Sequence, residues 1–184
     1  MRYFAGLLAV IVLITIGVVL FGRGSKTPSP TTPTASLADL ADTGTVVRYT
    51  QDGVINADQN HRAIRITVAK DYRLLEVVQG YSGNVIQSVN DYNTEEAYNV
   101  FLHSIVNQGF TKKRDTKNTD ETGACPLGRR YNYEVTNSGQ NDQNLWSSDC
   151  TGMGTFAGRP ADIQKLFQLQ INDYNNITQQ VNLY

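Results

Sequence analysis

The sequence contains two cysteines, Cys125 and Cys150, and their placement constrains the fold more than any other feature. Residues 129–135 alternate aromatic or apolar side chains with polar ones, which is typical of a half-buried strand. Residues 137–144 are rich in turn-forming types, and residues 145–148 suit a returning strand. Cysteines just outside the arms of one hairpin meet the Cα separation of roughly 4.4–6.8 Å that a disulfide requires.

We therefore predict a structural disulfide between Cys125 and Cys150. Closing a loop of about 26 residues stabilises the folded state by about 3.5 kcal/mol in the chain-entropy description. Two alternatives stay open: a pair of buried free cysteines, and a reactive or metal-binding thiol. Neither cysteine has a second Cys or a His at the close spacing of zinc sites, which disfavours a metal. A disulfide implies an oxidising compartment.

Residues 3–22 form a long run without a charged side chain. About 20 apolar residues suffice for a helix to cross the roughly 30 Å of bilayer hydrocarbon. We expect an uncleaved transmembrane anchor at 3–22, with residues 1–2 in the cytoplasm. A cleaved signal peptide and a buried core helix are the alternatives; the apolar stretch of a signal peptide is shorter, at about 7–15 residues.

The segment after this run, residues 23–37, is rich in Pro, Thr and Ser and is predicted to be a disordered linker. Basic groups on the two sides of the apolar run balance, so the positive-inside rule does not set its orientation. The predicted disulfide sets the orientation instead, because it places residues 38–184 outside the cytoplasm. We expect a cell-membrane protein with one span and an extracytoplasmic domain.

The first half of that domain has strand patterns. Residues 45–56 carry β-forming residues on both sides of Asp52-Gly53, which predicts a hairpin turn at that dipeptide. Three further strands are predicted within residues 62–89. The middle one, residues 74–78, is apolar on both faces, as expected of a central strand covered on both sides.

Helical periodicity then appears. Residues 93–109 predict an amphipathic helix capped by Asn93 and ended by Gly109, with Ala97 on its apolar stripe. A second helix is predicted from Pro160, while residues 171–184 are expected to fray. The predicted fold class is α+β: a small domain with an antiparallel β-sheet packed against one main α-helix and a C-terminal helix.

Motifs for chemistry are weak. His61 and His103 are expected on the solvated surface, and Ser147 and Ser148 lack the nucleophile-elbow pattern of hydrolases. Residues 56–60 have part of a calcium-loop spacing but lack its glycine and its final acidic residue. The pI of about 6.1 and the absence of a broad basic run disfavour nucleic acid. We expect no cofactor and no metal.

Trp146 and Phe156, beside a glycine-rich stretch, and Tyr131 and Tyr133, on the predicted strand, are the candidate binding residues. The function we expect is that of a membrane-anchored interaction domain that binds a protein, a peptide or an envelope component. An enzymatic role is less expected. The alternatives are an anchored hydrolase assembled only by the fold, and a minor subunit of a surface appendage or secretion assembly.

Overall fold

The computed structural model describes residue 37 and residues 44–184 of the chain, all within the unit that spans residues 35–184. The predicted anchor at 3–22 lies outside the described residues, as does the predicted linker apart from Leu37. Leu37 itself is buried against the domain core. Among the described residues, no helix combines the length and the apolar character that a membrane span needs.

The described residues form six strands and three helices. In chain order they are β1 (Thr45–Asp52), β2 (Arg62–Val68), β3 (Tyr72–Gln79), β4 (Asn84–Tyr92), α1 (Glu95–Asn107), β5 (Arg130–Asn137), β6 (Gln140–Ser148), α2 (Pro160–Gln168) and α3 (Tyr174–Thr178).

The strands form one antiparallel sheet in the order β4-β3-β2-β1-β5-β6. The first four strands follow one another as a meander, and the chain then passes through α1 and adds β5 and β6 on the other side of β1. The β5–β6 hairpin turns at Ser138 and Gly139, which both have positive φ, as a two-residue hairpin turn of type I′ requires. The predicted antiparallel sheet is confirmed, and β4 and β6 form its two edges.

One face of the sheet carries the core. In β1, alternate residues are buried on this face, and Val47 and Tyr49 lie beside their β5 partners Val135 and Tyr133. α1 contributes its own buried stripe, Tyr98, Phe101, Leu102 and Ile105, and α2 contributes Ile163 and Phe167. Each such side chain contributes about 1.5–3 kcal/mol when fully buried.

The start of α1 differs from the prediction by one residue. Thr94, in extended conformation, is the N-cap, and its hydroxyl accepts a hydrogen bond from the backbone N–H of Ala97 at 3.2 Å. The predicted cap, Asn93, instead donates from its side chain to the carbonyl of Ala69 at 2.7 Å. Ala97 is exposed rather than on the buried stripe. Gly109 adopts the predicted left-handed conformation, with φ of 81°.

The predicted hairpin turn at Asp52-Gly53 is wrong. A type I′ turn needs positive φ at its central residues, and Gly53 does not have it. The chain stays extended past β1, because the N–H of Gly53 bonds to Arg62 and that of Val54 bonds to Leu183, both at 3.0 Å. A Cβ on Gly53 would lie 2.7 Å from the Arg62 carbonyl oxygen, so glycine is needed there for close backbone approach.

Two further expectations are corrected. β3 is an interior strand, paired with β2 and β4, but it is not covered on both faces, since Leu74 and Glu76 are only half-buried. The C-terminal segment does not fray: it forms α3, buries Ile171 and Leu183, and pairs with the chain after β1 through the Leu183 carbonyl. Its few apolar side chains are enough to dock it, although they are too widely spaced to produce a helical pattern.

Candidate functional site

All four aromatic residues that the sequence suggested for binding are buried. Trp146 is 3% exposed and Tyr133 is fully buried, and Tyr131 and Phe156 are likewise interior. The rings of Tyr133 and Phe156 stack with centroids 3.7 Å apart, and burial raises the pKa of Tyr133 to about 12. Their side chains therefore offer no surface to a partner, which argues against the predicted binding role.

The glycine-rich stretch that follows Trp146 covers the end of β6, at Trp146 and Ser147. The N–H of Phe156 donates to the carbonyl of Trp146 at 2.9 Å, and Ser147 forms an isolated bridge with Gly154. Gly154 has φ of 108°, and a Cβ there would clash with the Trp146 carbonyl oxygen. This stretch therefore occupies backbone groups of β6 that another chain would otherwise meet.

Trp146 has a second structural role on the opposite face of the sheet. Its indole N–H donates to the carbonyl of Thr119 at 3.0 Å, and the side chain of Asn132 on β5 donates to Glu121 at 2.7 Å. These bonds fix the segment between α1 and β5 against strands β5 and β6. Packing and the hydrogen bond of the indole N–H are thus enough to explain why a tryptophan stands at position 146.

The predicted disulfide is present. Cys125 and Cys150 are bonded, with their Cα atoms 5.7 Å apart, and Asp149 beside them gathers several donors. Tyr131 donates to one carboxylate oxygen at 2.7 Å, and Arg129 donates to the other from its side chain at 3.0 Å and its backbone at 3.1 Å. The two arms of the hairpin are therefore joined covalently and by charge-assisted hydrogen bonds.

His61 is buried, so its expected place on the surface is wrong; His103 is exposed, as expected. One ring nitrogen of His61 lies 2.8 Å from a carboxylate oxygen of Asp52, and the other lies 3.1 Å from the carbonyl of Val54. Arg130 donates to the second carboxylate oxygen of Asp52, and Tyr81 stacks on the imidazole at 4.1 Å. Local sequence patterns do not reveal this cluster, since its members come from four separate segments.

This cluster has the composition of a catalytic site but not its geometry. Both nitrogens of His61 are engaged, so the ring has no free nitrogen to act as a base. The candidate nucleophiles have other partners: Ser147 bonds to the hydroxyl of Tyr133 at 2.9 Å, and Ser148 donates to the carbonyl of Cys150 at 3.3 Å. In the part of the chain that is described, no group of three or more His, Cys, Asp or Glu side chains could hold a metal.

The other edge strand, β4, is accessible along its whole length. Every residue of β4 is exposed or half-buried, and Tyr92 is 94% exposed. Within the described ranges, β3 is the only strand that pairs with it. Its sequence, NVIQSVNDY, contains no Lys, Arg or Pro, which are the residues that commonly protect an edge from pairing. Its outer edge is therefore open to solvent, except at the carbonyl of Tyr92, which accepts two hydrogen bonds from Arg73.

A β-bulge shapes this edge. The β3–β4 register shifts between Val77 and Val78, so that Ile86 is the extra residue beside Gln87, the partner of Val77. All three line a groove of about 450 Å³ between the edge strand and the C-terminal segment, whose other apolar walls are Ile177 and Val181. Ile86 is 48% exposed there. The bulge thus turns an apolar side chain toward the groove instead of the opposite face.

The other end of β4 is acidic and aromatic. A second depression, of about 370 Å³, is lined by Asp71, Tyr72, Asn90, Asp91 and Tyr92. Asp91 accepts a hydrogen bond from the side chain of Asn172 at 3.3 Å, and it lies on the same face as Gln87 and the groove. The edge strand therefore has an apolar end and a negatively charged end.

Comparison of the sequence with models of protein families and with curated proteins gives no match.

Proposed function

We propose that this chain is a membrane-anchored, extracytoplasmic interaction domain that binds an extended segment of a protein partner as an added strand along β4. The observation that carries the proposal is the open backbone edge of β4 beside a groove that an apolar side chain fits. An added strand gains main-chain hydrogen bonds along the edge, and a side-chain groove next to the edge supplies selectivity.

The contrast between the two sheet edges supports this proposal. Edge strands are prone to unwanted pairing, and proteins commonly cover or charge them. The end of β6, at Trp146 and Ser147, is covered by the segment that contains Gly154 and Phe156. β4 has the bulge at Ile86, which twists its first residues, but it has neither a positive charge nor a proline. Six regular residues, Gln87–Tyr92, are left for a partner strand.

The disulfide supports the extracytoplasmic placement, because such bonds persist mainly in oxidising compartments. The anchor at 3–22 and its orientation are part of the proposal and rest on the sequence alone. The hydrolase alternative finds no support among the described residues, because neither Ser147 nor Ser148 is hydrogen-bonded to a histidine.

The test uses the full-length chain in detergent micelles and a display library of random linear peptides. Three forms are compared: the natural chain, Ile86→Lys on the proposed edge, and Val100→Lys on the exposed face of α1, where the side chain is 68% exposed. The two variants add the same charge at solvent-accessible positions. Circular dichroism and thermal unfolding check that both are folded.

We expect the natural chain to enrich peptides with alternating apolar residues, and we expect Ile86→Lys to weaken their binding about tenfold, which corresponds to about 1.4 kcal/mol. Val100→Lys should bind as the natural chain does. Enrichment no greater than on empty micelles would overturn the proposal, and so would binding that Ile86→Lys leaves unchanged.

A further inference from the structure

Resting on the proposed function, we infer that the strand which β4 accepts carries a large apolar side chain and, four residues away on the same face, a Lys or Arg. The two ends of the edge strand specify this pattern. One end provides a groove with apolar walls and a polar rim, the other provides two carboxylates, and the spacing between them is set by the strand itself.

The apolar position is defined by the bulge. Because Ile86 and Gln87 both lie opposite Val77, the added strand meets the groove at this level. Ile177 and Val181 close the far side of the groove. Its volume of about 450 Å³ is ample for one Leu, Ile or Phe side chain. The other lining residues are Arg62 on β2 and amides from β4 and the C-terminal segment, so the apolar side chain enters a groove with a polar rim.

The basic position is defined by Asp91. A residue directly opposite it on an added strand would have its Cβ about 4.5–5.5 Å away, within reach of a Lys or Arg charge. Asp71 and the exposed ring of Tyr92 line the same depression, and an aromatic face also attracts a cation.

Two cations, Lys70 and Arg73, lie near this end, and Arg73 is the cross-strand partner of Asp91. Lys70 lies 2.7 Å from a carboxylate oxygen of Glu95, and Arg73 donates twice to the carbonyl of Tyr92, at 2.7 and 3.1 Å. Within the described ranges, the ion pairs include none that involves Asp71 or Asp91. Three carboxylates, those of Asp71, Asp91 and Glu95, thus face two cations, so the net charge at this end of the edge is negative and favours a positive partner.

The spacing follows from the register. Gln87 and Asp91 both face the groove side, as partners of Val77 and Arg73, and they are four residues apart. Four residues of a strand span about 13 Å. An added strand has the same repeat, whether it runs parallel or antiparallel, so its apolar and basic residues must also be four positions apart.

The experiment measures binding of synthetic peptides of alternating Thr and Val to the full-length chain at physiological salt. The first peptide carries Leu and, four residues on, Lys; the second has Asp in place of that Lys, and the third has Asn in place of the Leu. The chain is used in its natural form, as Asp91→Lys, and as the control Asp142→Lys, which makes the same charge change on β6. Amide exchange of β4 reports whether each peptide binds at that edge.

For the natural chain we expect the Asp and Asn peptides to bind about fivefold more weakly than the Leu–Lys peptide. Asp91→Lys should reverse the charge preference, so that the Asp peptide becomes the tighter ligand, while Asp142→Lys should leave the preference unchanged. Tight binding of the Asp peptide to the Asp91→Lys chain would show a direct charge interaction, because a merely structural role of Asp91 would not reverse the preference.

Two failures are distinguishable. If peptides protect β4 but show no preference for Lys, or a preference that Asp91→Lys does not reverse, the inference is overturned and the proposed function stands. If none of the peptides protects β4, strand addition is overturned as well, and the inference with it.

Discussion

At the scale of single residues, the base of the β5–β6 hairpin shows how charge and covalent linkage act together. Burial of the carboxyl group acts to raise the pKa of Asp149, but hydrogen bonds from Tyr131 and Arg129 outweigh it and hold that pKa below its ordinary value. Burial and the same hydrogen bond raise the pKa of Tyr131. The ionised carboxylate is thus the form that the folded hairpin favours.

This predicts how Asp149 affects stability as pH changes. Because its pKa is lower in the folded state, its stabilising contribution is present above the unfolded pKa of about 3.9 and is lost as pH falls through the folded value. We expect Asp149→Asn to lower the melting temperature at neutral pH, with the difference from the natural chain shrinking below about pH 4. Asp142→Asn, at an exposed position, is the control. A difference that stays constant across the acid range would contradict this reading.

The individual residues also show where sequence reasoning stops. Cysteine spacing was sufficient to predict the disulfide, because a hairpin brings its two ends together. No local pattern predicted the burial of His61, which depends on contacts with Asp52, Tyr81 and Arg130 from other segments. Aromatic residues beside glycines looked like a binding surface, but both are buried: Phe156 lies in the core, and Trp146 is covered on the opposite face of the sheet.

At the scale of elements, strands and helices with strong periodicity were predictable. β2 and α1 follow their apolar patterns, and α2 begins at Pro160 as expected. The Asp52-Gly53 hairpin was wrong because the glycine serves close backbone approach there and not a turn. The chain stays extended after Gly53 because the N–H of Val54 bonds to the carbonyl of Leu183, which is remote in sequence.

The C-terminal segment forms one wall of the groove, and its docking on the domain can be tested. Leu183 is buried, so we expect Leu183→Ala to reduce the free energy of unfolding by about 2–5 kcal/mol and to increase cleavage of the last residues by a protease. Gln179→Ala, at an exposed position in the same segment, should change neither. Equal effects of the two substitutions would mean that the segment frays, as its sequence first suggested.

At the scale of the whole molecule, the crossover through α1 decides which edges the sheet presents. It adds β5 and β6 beside β1, so that β4 stays at one edge while the segment after β6 folds back over the other. An antiparallel sheet with a main helix was predictable from the order of strand and helix patterns. The order of the strands was not, because nothing local in β5 indicates that it pairs with β1.

The candidate site was not predictable for the same reason. Its groove joins β3, β4 and the C-terminal segment, and the bulge that orients Ile86 arises only from the β3–β4 register. The interaction role expected from the sequence stays a prediction. The surface that we now propose lies away from the residues first suggested for binding.

The most direct test of strand addition at β4 is residue-resolved amide hydrogen exchange of the full-length chain, with and without a bound peptide from the display library. Backbone hydrogen bonds to an added strand protect amides that otherwise exchange with solvent. We expect new protection at alternate residues within Gln87–Tyr92, and none along β6, whose end at Trp146 and Ser147 is already covered. Protection confined to β6 or to the helices, with β4 unchanged, would contradict the proposal that this domain binds its partner at the open edge.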